Sequence, residues 1–250
     1  GYDIILVGRS EEGLNNLKEQ LRVYKTDVRI KICDLSSPEQ ILSMTNSLND
    51  ININILVNCA GVFPVKKLAD MSLEEYDMCM NINVRAPFLL TRELSKNMAK
   101  NKSGQIINVA SSSAYGGSPL TSVYCASKHA LLGLSRSLYK ELKADNIRVV
   151  CVSPGSIKTD MGKKVEALGQ IYNTFMEPDE VAQYIVFNST WDGAMINEEL
   201  RLNRVAVQCI YDQALYLCVL QSRHIDLQRL LQFHYWKPVA CKTKLKEQHS

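Results

Sequence analysis

The sequence predicts an α/β protein built on a parallel, doubly wound sheet, and two patterns along the chain support this prediction. Five short apolar runs alternate with longer segments whose apolar residues recur at helical spacing. Several of these runs are apolar at consecutive positions, which is typical of strands covered by helices on both faces. The predicted strands occupy residues 4–7, 28–32, 53–57, 106–109 and 147–152.

Four helical segments are predicted between these strands. Ser10 precedes the first segment, and Ser37 with Pro38 opens the second, which are residue types that favour helix starts. In the last segment leucines recur at helical spacing and form one apolar face. The predicted helices occupy residues 11–22, 38–48, 73–100 and 122–144.

Composition indicates one well-packed domain. The chain has 250 residues, of which 46% are hydrophobic and 22% are charged, and this is enough apolar material for one substantial core. The net charge of +3 comes from 29 basic and 26 acidic residues that are interspersed, so we expect no nucleic-acid partner. No apolar run approaches the ~20 residues that cross a bilayer. We therefore expect a cytoplasmic protein with no membrane partner.

The eight cysteines occur singly, mostly within apolar segments, and none of them forms a CxxC pair. This spacing favours reduced, buried thiols over disulfides or a zinc site. We expect no bound metal.

Tyr124 and Lys128 are candidates for proton transfer. Reduction of a ketone by hydride creates an alkoxide that needs a proton, and the donor must survive as its conjugate base near neutral pH. A tyrosine has an unperturbed pKa of ~10, which a neighbouring ammonium lowers. Lys128 lies one helical turn beyond Tyr124, so both side chains can project from one face of the helix. His129 then points away from this face, and we expect it to be structural.

Ser111 is the third candidate. It lies thirteen residues before Tyr124, just after the strand at residues 106–109 and at the start of a Ser/Gly-rich loop. Sites in open α/β sheets lie at the carboxyl ends of the strands. Nothing intrinsic to these residues distinguishes Ser111 from Ser112 and Ser113 as the active hydroxyl.

Five motifs occur in a fixed order along the chain and together resemble the short-chain dehydrogenase/reductase family over residues 1 to about 202. The resemblance implies a Rossmann-like fold and transfer of hydride between a nicotinamide cofactor and a ketone or secondary alcohol. The family's interval before the tyrosine selects Ser111. The motifs are VNCAG at 57–61, NINV with Asn83, NVASS with Ser111, YCASK at 124–128 and SPGSIKT at 153–159.

The resemblance also implies a role for each catalytic candidate. Tyr124 donates or accepts the proton, and Lys128 lowers its pKa and binds the nicotinamide ribose. Ser111 holds and polarises the substrate oxygen. Asn83 supports a water molecule that links Lys128 to solvent.

The cofactor is expected to be NADP(H). The first predicted strand ends in VGRS, which places Gly8 where an NAD-preferring relative carries an acid. Arg9 can pair with the 2′-phosphate, and Ser10 adds a hydroxyl. The resemblance assigns the remaining cofactor contacts to Asp34, Leu35, Asn58, Ala60, Gly61, Tyr124, Lys128, Pro154, Gly155, Ile157 and Thr159.

One departure from the family concerns the phosphate loop. The sequence contains no TGxxxGxG, the glycine-rich turn that receives the pyrophosphate. The chain starts at what resembles the family's second strand, so we expect the first strand and that turn to lie upstream of Gly1. The domain at residues 1–202 is then incomplete at its N-terminus. An inactive scaffold with a binding or regulatory role is therefore an open alternative.

The end of the chain departs as well. Residues 203–250 are expected to form an extension that is helical over 206–233 and ends in a polar tail. We expect it to add packing or a subunit contact in a homodimer or homotetramer. The stretches TDM at 159–161 and EPDEVA at 177–182 resemble 3-oxoacyl-carrier-protein reductases, which favours a 3-oxoacyl thioester as one substrate class.

Overall fold

A computed structural model of the chain describes residues 2–166, 168–190, 199–202 and 217–222. Within these residues strands and helices alternate along most of the chain, as predicted. The strands are β1 (Tyr2–Gly8), β2 (Val28–Ile32), β3 (Ile55–Asn58), β4 (Gly104–Val109), β5 (Ile147–Pro154), β6 (Glu199–Leu202) and β7 (Leu217–Ser222). The helices are α1 (Glu11–Leu21), α2 (Pro38–Asn46), α3 (Leu73–Met80), α4 (Ala86–Lys100), α5 (Ser122–Glu141), α6 (Asp160–Glu166) and α7 (Pro178–Thr190).

The strands form one sheet in the order β2-β1-β7-β3-β4-β5-β6. β1 pairs in parallel with β2, and β3, β4, β5 and β6 form a second parallel series. The predicted α/β fold with a doubly wound sheet is therefore confirmed. It differs from a purely parallel sheet because β7 runs antiparallel to both of its neighbours.

β7 holds the two parallel halves of the sheet together. It pairs with β1 from Tyr2↔Ser222 to Val7↔Leu217 and with β3 from Ile55↔Leu220 to Asn58↔Leu217. The prediction of helix over residues 206–233 is thus wrong at 217–222. An extended segment is favoured there because it satisfies the facing backbone groups of two strands at once. The rest of residues 203–250 lies outside the described part of the chain.

Alternating side chains of the strands fill a core on both faces of the sheet. On one face Val7 and Ile106 pack with residues of α2 and α4 such as Ile41. On the other face Leu6 packs against Leu14 of α1, and a separate cluster joins residues of β3, β4 and β5 to α7. Burial on both faces explains why the strand sequences are apolar at consecutive positions.

The segment predicted as one helix over residues 73–100 has three parts. α3 is followed by a π-helical turn over Asn81–Arg85 and then by α4. Pro87 has no N–H to donate to the carbonyl of Asn83 four residues earlier, which disfavours a regular α-helix at this point. The turn places the Asn83 side chain in the interior, where it is fully buried. Within the described residues no helix is both long and apolar enough to span a bilayer.

Candidate active site

Tyr124 and Lys128 lie on one buried face of α5, as their spacing predicts. Tyr124 is 8% exposed and Lys128 is 4% exposed. The Lys128 ammonium donates a hydrogen bond to the backbone oxygen of Val109, the last residue of β4, at 2.9 Å. Its nitrogen also lies 5.7 Å from the centroid of the Tyr124 ring. The helix thus presents both side chains to the carboxyl edge of the sheet.

Ser111 is the serine that contacts Tyr124. It follows β4, and its hydroxyl is hydrogen-bonded to the Tyr124 phenol. The Ser111 Oγ also accepts a hydrogen bond from the backbone N–H of Ser113 at 3.1 Å, where a short 3₁₀ helix starts. This contact with the phenol distinguishes Ser111 from the adjacent Ser112 and Ser113.

Asn83 joins three segments around this pair. Its Oδ1 accepts from the backbone N–H of Val62 at 2.8 Å, and its Nδ2 donates to the Val62 carbonyl at 3.0 Å. The same amide lies 2.9 Å from the hydroxyl of Ser127, which in turn donates to the Tyr124 carbonyl at 2.7 Å. The Asn83 side chain therefore ties α5 to the segment that follows β3.

Burial has the largest effect on the pKa of Tyr124. It raises the pKa of Tyr124 to about 12, and the Ser111 hydrogen bond offsets only part of this rise, while the Cys79 and Cys125 thiols add to it. The resemblance implies a lowered pKa, so the direction here is the reverse. The reason is that the phenol is removed from water. At neutral pH Tyr124 holds its proton.

The lysine is shifted in the opposite sense. Burial lowers the pKa of Lys128 to about 8, although the thiols of Cys59, Cys151 and Cys79 raise it in part. Lys128 can therefore lose and regain a proton close to neutral pH. Cys59 is exposed, whereas Cys33, Cys79, Cys125 and Cys151 are buried, and these five cysteines are free. The described residues contain no cluster of His, Cys, Asp or Glu that could hold a metal.

The residues expected to bind the adenosine half lie together at the carboxyl ends of β1 and β2. Gly8, Arg9, Asp34 and Leu35 line one small cleft, together with Ala60. Burial raises the pKa of Asp34, but hydrogen bonds from Ser36 and the positive charge of Arg9 outweigh it and hold that pKa below its ordinary value. Arg9 itself is exposed.

Ser10 has a local structural task at the same edge. Its Oγ accepts a hydrogen bond from the backbone N–H of Gly13 at 3.0 Å and so caps the start of α1. The hydroxyl can still donate its own proton, which is the part of the group that a phosphate would use.

The VNCAG motif contributes space next to Lys128. A Cβ added to Gly61 would lie 3.6 Å from the Lys128 nitrogen and 3.4 Å from Asn83 Oδ1, in van der Waals contact with both groups, so Gly61 lies directly beside them. Asn58 is buried instead. Its Nδ2 donates to Asn108 Oδ1 at 2.7 Å, and its own Oδ1 has no partner among the described residues. The structure therefore turns the Asn58 side chain toward the core.

The SPGSIKT segment lies at the carboxyl end of β5, which ends at Pro154, so Gly155 is the first residue beyond the strand. Ile157 forms a β-bridge with Met176, which anchors the segment beyond the strand. The Thr159 hydroxyl accepts a hydrogen bond from the Gly162 N–H at 3.0 Å at the start of α6. These residues lie on the same edge of the sheet as Ser111.

Several contacts of the site carry no signal in the sequence spacing. Phe63 packs edge-to-face on Tyr124, with ring centroids 4.5 Å apart and an interplanar angle of 70°. Ser127 and Val62 are found only through their hydrogen bonds to Asn83. His129 is exposed, and its Nδ1 lies 2.8 Å from the Cys125 carbonyl, in keeping with the expected structural role.

Comparison with known proteins gives a consistent result. Residues 1–168 match the family model described as short chain dehydrogenase. A 3-oxoacyl-acyl-carrier-protein reductase of Rickettsia conorii is 34% identical over 194 residues, which cover 75% of this chain and 78% of that protein.

Two solved structures extend the comparison to the fold. A metagenomic short-chain oxidoreductase in complex with NADP superposes with a TM-score of 0.69 and 27% identity, covering 79% of this chain and 84% of the other. A 4-hydroxyisoleucine dehydrogenase mutant complexed with NADH and succinate gives a TM-score of 0.71 and 27% identity, covering 82% and 88%. The sheet with its flanking helices is thus Rossmann-like.

Proposed function

The chain belongs to the short-chain dehydrogenase/reductase family, and from this premise we propose that it transfers hydride between NADP(H) and a ketone or a secondary alcohol. One observation carries the proposal. Ser111, Tyr124 and Lys128 come from separate positions in the chain and meet at the carboxyl edge of the sheet, with Ser111 bonded to the phenol. This edge is where open α/β sheets bind their ligands.

Tyr124 is the proton donor in the direction of reduction. A bound nicotinamide would supply the hydride to the carbonyl carbon. The Tyr124 phenol donates its proton to the carbonyl oxygen as the alkoxide forms and is left as phenolate. The raised pKa keeps Tyr124 protonated before the step, which suits an acid. Ser111 holds the substrate oxygen beside the phenol, and the reverse sequence oxidises an alcohol.

Lys128 restores the proton and stabilises the phenolate. Its ammonium favours the charged form of Tyr124 during the step, and its pKa of about 8 allows it to exchange protons near neutral pH. Asn83 hydrogen-bonds both backbone groups of Val62 and so fixes the segment that lies beside Lys128. The proposal includes the proton route that the resemblance implies, in which Asn83 supports a water molecule that links Lys128 to solvent.

The described residues fit a dinucleotide at both of its ends. Arg9 at the edge of the adenosine cleft provides the charge for a 2′-phosphate, and no carboxylate stands at Gly8. At the other end Gly61 lies beside the Lys128 nitrogen, the group that we assign to the nicotinamide ribose. We assign the adenosine side to Arg9, Ser10, Asp34, Leu35 and Ala60, and the nicotinamide side to Asn58, Gly61, Tyr124, Lys128, Pro154, Gly155, Ile157 and Thr159.

A 3-oxoacyl thioester is the substrate class that we place first. The Rickettsia conorii protein at 34% identity is a reductase of this kind, and it supports the choice. Small and bulky ketones are the other substrates that we consider. A cytoplasmic location and a homodimer or homotetramer stay predictions.

The test is turnover by the purified full chain. Oxidation of NADPH is followed by absorbance with a 3-oxoacyl thioester, a small ketone and a bulky ketone, and each assay is repeated with NADH. We expect turnover with at least one carbonyl and a preference for NADPH. Absence of turnover with all of them, from folded protein that binds NADPH, would contradict the proposal.

A second candidate function is a scaffold that binds but does not catalyse. The observation that favours it is the placement of the antiparallel β7 between β1 and β3, in the middle of the sheet. Fluorescence titration of the full chain with NADPH separates the two functions. The scaffold is supported by binding without turnover, and the enzyme by both.

A further inference from the structure

The segment after the VNCAG motif is fixed at both ends next to the phenol. At its start Asn83 bonds both backbone groups of Val62, at 2.8 and 3.0 Å. At its end the N–H of Lys66 donates to the carbonyl of Leu120 at 2.9 Å, just before α5 starts. The residues between these anchors therefore have a defined position relative to Tyr124.

Phe63 lies between the two anchors and faces the phenol. Its side chain is 7% exposed, and its ring stands at 70° to that of Tyr124 with the centroids 4.5 Å apart. This is the edge-to-face arrangement that aromatic pairs prefer. The tyrosine oxygen lies on the axis about which the ring flips, so it moves only when the side chain rotates about χ1 and swings the whole ring. A fixed neighbour against the ring restricts this swing and so restricts where the oxygen lies.

We propose that Phe63 is a positioning residue that holds the Tyr124 ring so that its hydroxyl meets Ser111 and the substrate oxygen. This inference rests on the proposed function, because it concerns the same proton transfer. Phe63 acts through Tyr124 and takes no direct part in the transfer of the hydride or the proton. Its anchors at Val62 and Lys66 give it the rigid support that a positioning residue needs.

The ring of Phe63 also keeps water from the phenol. The other groups facing Tyr124 are Ser111 from the loop after β4, Cys125 and Lys128 from α5, and Cys79 from α3. Replacement of the ring by a smaller side chain admits water and weakens the desolvation that raises the pKa of Tyr124. Tyr124 then loses its proton at a lower pH.

The first test compares Phe63→Leu, Phe63→Tyr and the control Phe175→Leu. Phe175 is buried and packs edge-to-face on Tyr172 with centroids 5.5 Å apart, so it matches Phe63 in geometry without contacting Tyr124. We expect Phe63→Leu to lower kcat about three- to tenfold with little change in the KM for NADPH. The alkaline limb of the pH profile should move to lower pH, whereas Phe63→Tyr should keep kcat within about twofold.

The control Phe175→Leu should have the same pH profile as the wild type. Wild-type kcat and an unmoved alkaline limb in folded Phe63→Leu would overturn the proposal, as would a tenfold loss in folded Phe63→Tyr. If Phe63→Leu does not fold, Phe63→Met replaces it, with the same outcomes for and against, because the unbranched side chain adapts to the space.

The second test needs no turnover. Protein labelled with 3-fluorotyrosine gives one fluorine resonance for Tyr124, which its loss in Tyr124→Phe identifies. We expect this resonance to titrate at a lower pH in Phe63→Leu than in wild type, and an equal midpoint would overturn the inference. Turnover that persists in Tyr124→Phe refutes the proposed function instead, so the two failures are distinguishable.

Discussion

The side-chain amide of Asn83 satisfies both backbone hydrogen-bonding groups of Val62, 21 positions earlier in the chain. The N–H of Val62 lies 2.8 Å from Oδ1, and its carbonyl lies 3.0 Å from Nδ2. Val62 is beyond the end of β3, where none of the described strands supplies these partners. The amide thus replaces a missing strand neighbour and holds the segment that carries Phe63.

Loss of this amide should destabilise the fold. In Asn83→Leu both backbone groups of the half-buried Val62 lose their partner, so we expect the free energy of unfolding to fall by about 2–4 kcal/mol. Urea denaturation measures this change. The control Asn52→Leu removes an exposed amide that accepts one bond from Asn101 and should cost less than about 1 kcal/mol. Equal losses in the two variants would contradict the structural role of Asn83.

Removal of the buried lysine should have the opposite effect on stability. Burial lowers the pKa of Lys128 from 10.5 to about 8, so below pH 8 the folded chain carries a buried ammonium at a cost. Between these two pKa values the unfolded chain binds more protons, and stability rises with pH. We expect Lys128→Met to be more stable than wild type at pH 7 by on the order of 1–3 kcal/mol, while losing turnover.

The stability difference between Lys128→Met and wild type should narrow as the pH rises from 8 toward 10.5. Denaturation curves at several pH values measure it. The exposed Lys140 provides the control, because Lys140→Met should differ little from wild type at any of these pH values. A Lys128→Met protein that is less stable than wild type at pH 7 would contradict the cost assigned to burial.

Cofactor preference should depend on Arg9. Its guanidinium is exposed at the adenosine cleft, where it can pair with a 2′-phosphate that NADH lacks. We expect Arg9→Ala to raise the KM for NADPH about tenfold and to leave that for NADH nearly unchanged. The control is Arg22→Ala, which removes a surface arginine paired with Glu19. A uniform rise for both cofactors would place Arg9 outside the phosphate site.

β7 can be tested through its backbone. Val219 lies between Ile5 of β1 and Leu56 of β3, in the middle of both ladders. Proline has no N–H for these ladders and its ring clashes with them, so Val219→Pro should lower the free energy of unfolding by about 3 kcal/mol or more. Val219→Ala keeps the N–H and serves as the matched variant. If Val219→Pro and Val219→Ala lower the free energy of unfolding equally, β7 does not pair as described.

The sequence predicts the local parts of this fold well. Consecutive apolar residues indicate the five strands β1 to β5, because burial on two faces leaves a pattern within a few residues. The shared face of Tyr124 and Lys128 follows from helical spacing alone. The choice of Ser111 over Ser112 and Ser113 needs the resemblance or the structure, since three adjacent serines are chemically alike.

Features that depend on distant contacts are not visible in this way. The π-helical turn at Asn81–Arg85 interrupts a helix whose apolar spacing is regular. In the sequence only Pro87 indicates this interruption. The strand at 217–222 depends on the facing edges of β1 and β3, which no local pattern records. The pKa of Tyr124 likewise depends on burial by residues such as Phe63, so four-residue spacing to Lys128 predicts the wrong direction.

Replacement of the Tyr124 hydroxyl tests the central claim most directly. Tyr124→Phe keeps the ring that packs on Phe63 and removes only the group bonded to Ser111, so the unfolding transition should change little. We expect NADPH oxidation with a carbonyl substrate to fall at least about a hundredfold while NADPH binding persists. Turnover at the wild-type rate in folded Tyr124→Phe would contradict the proposal that this phenol transfers the proton.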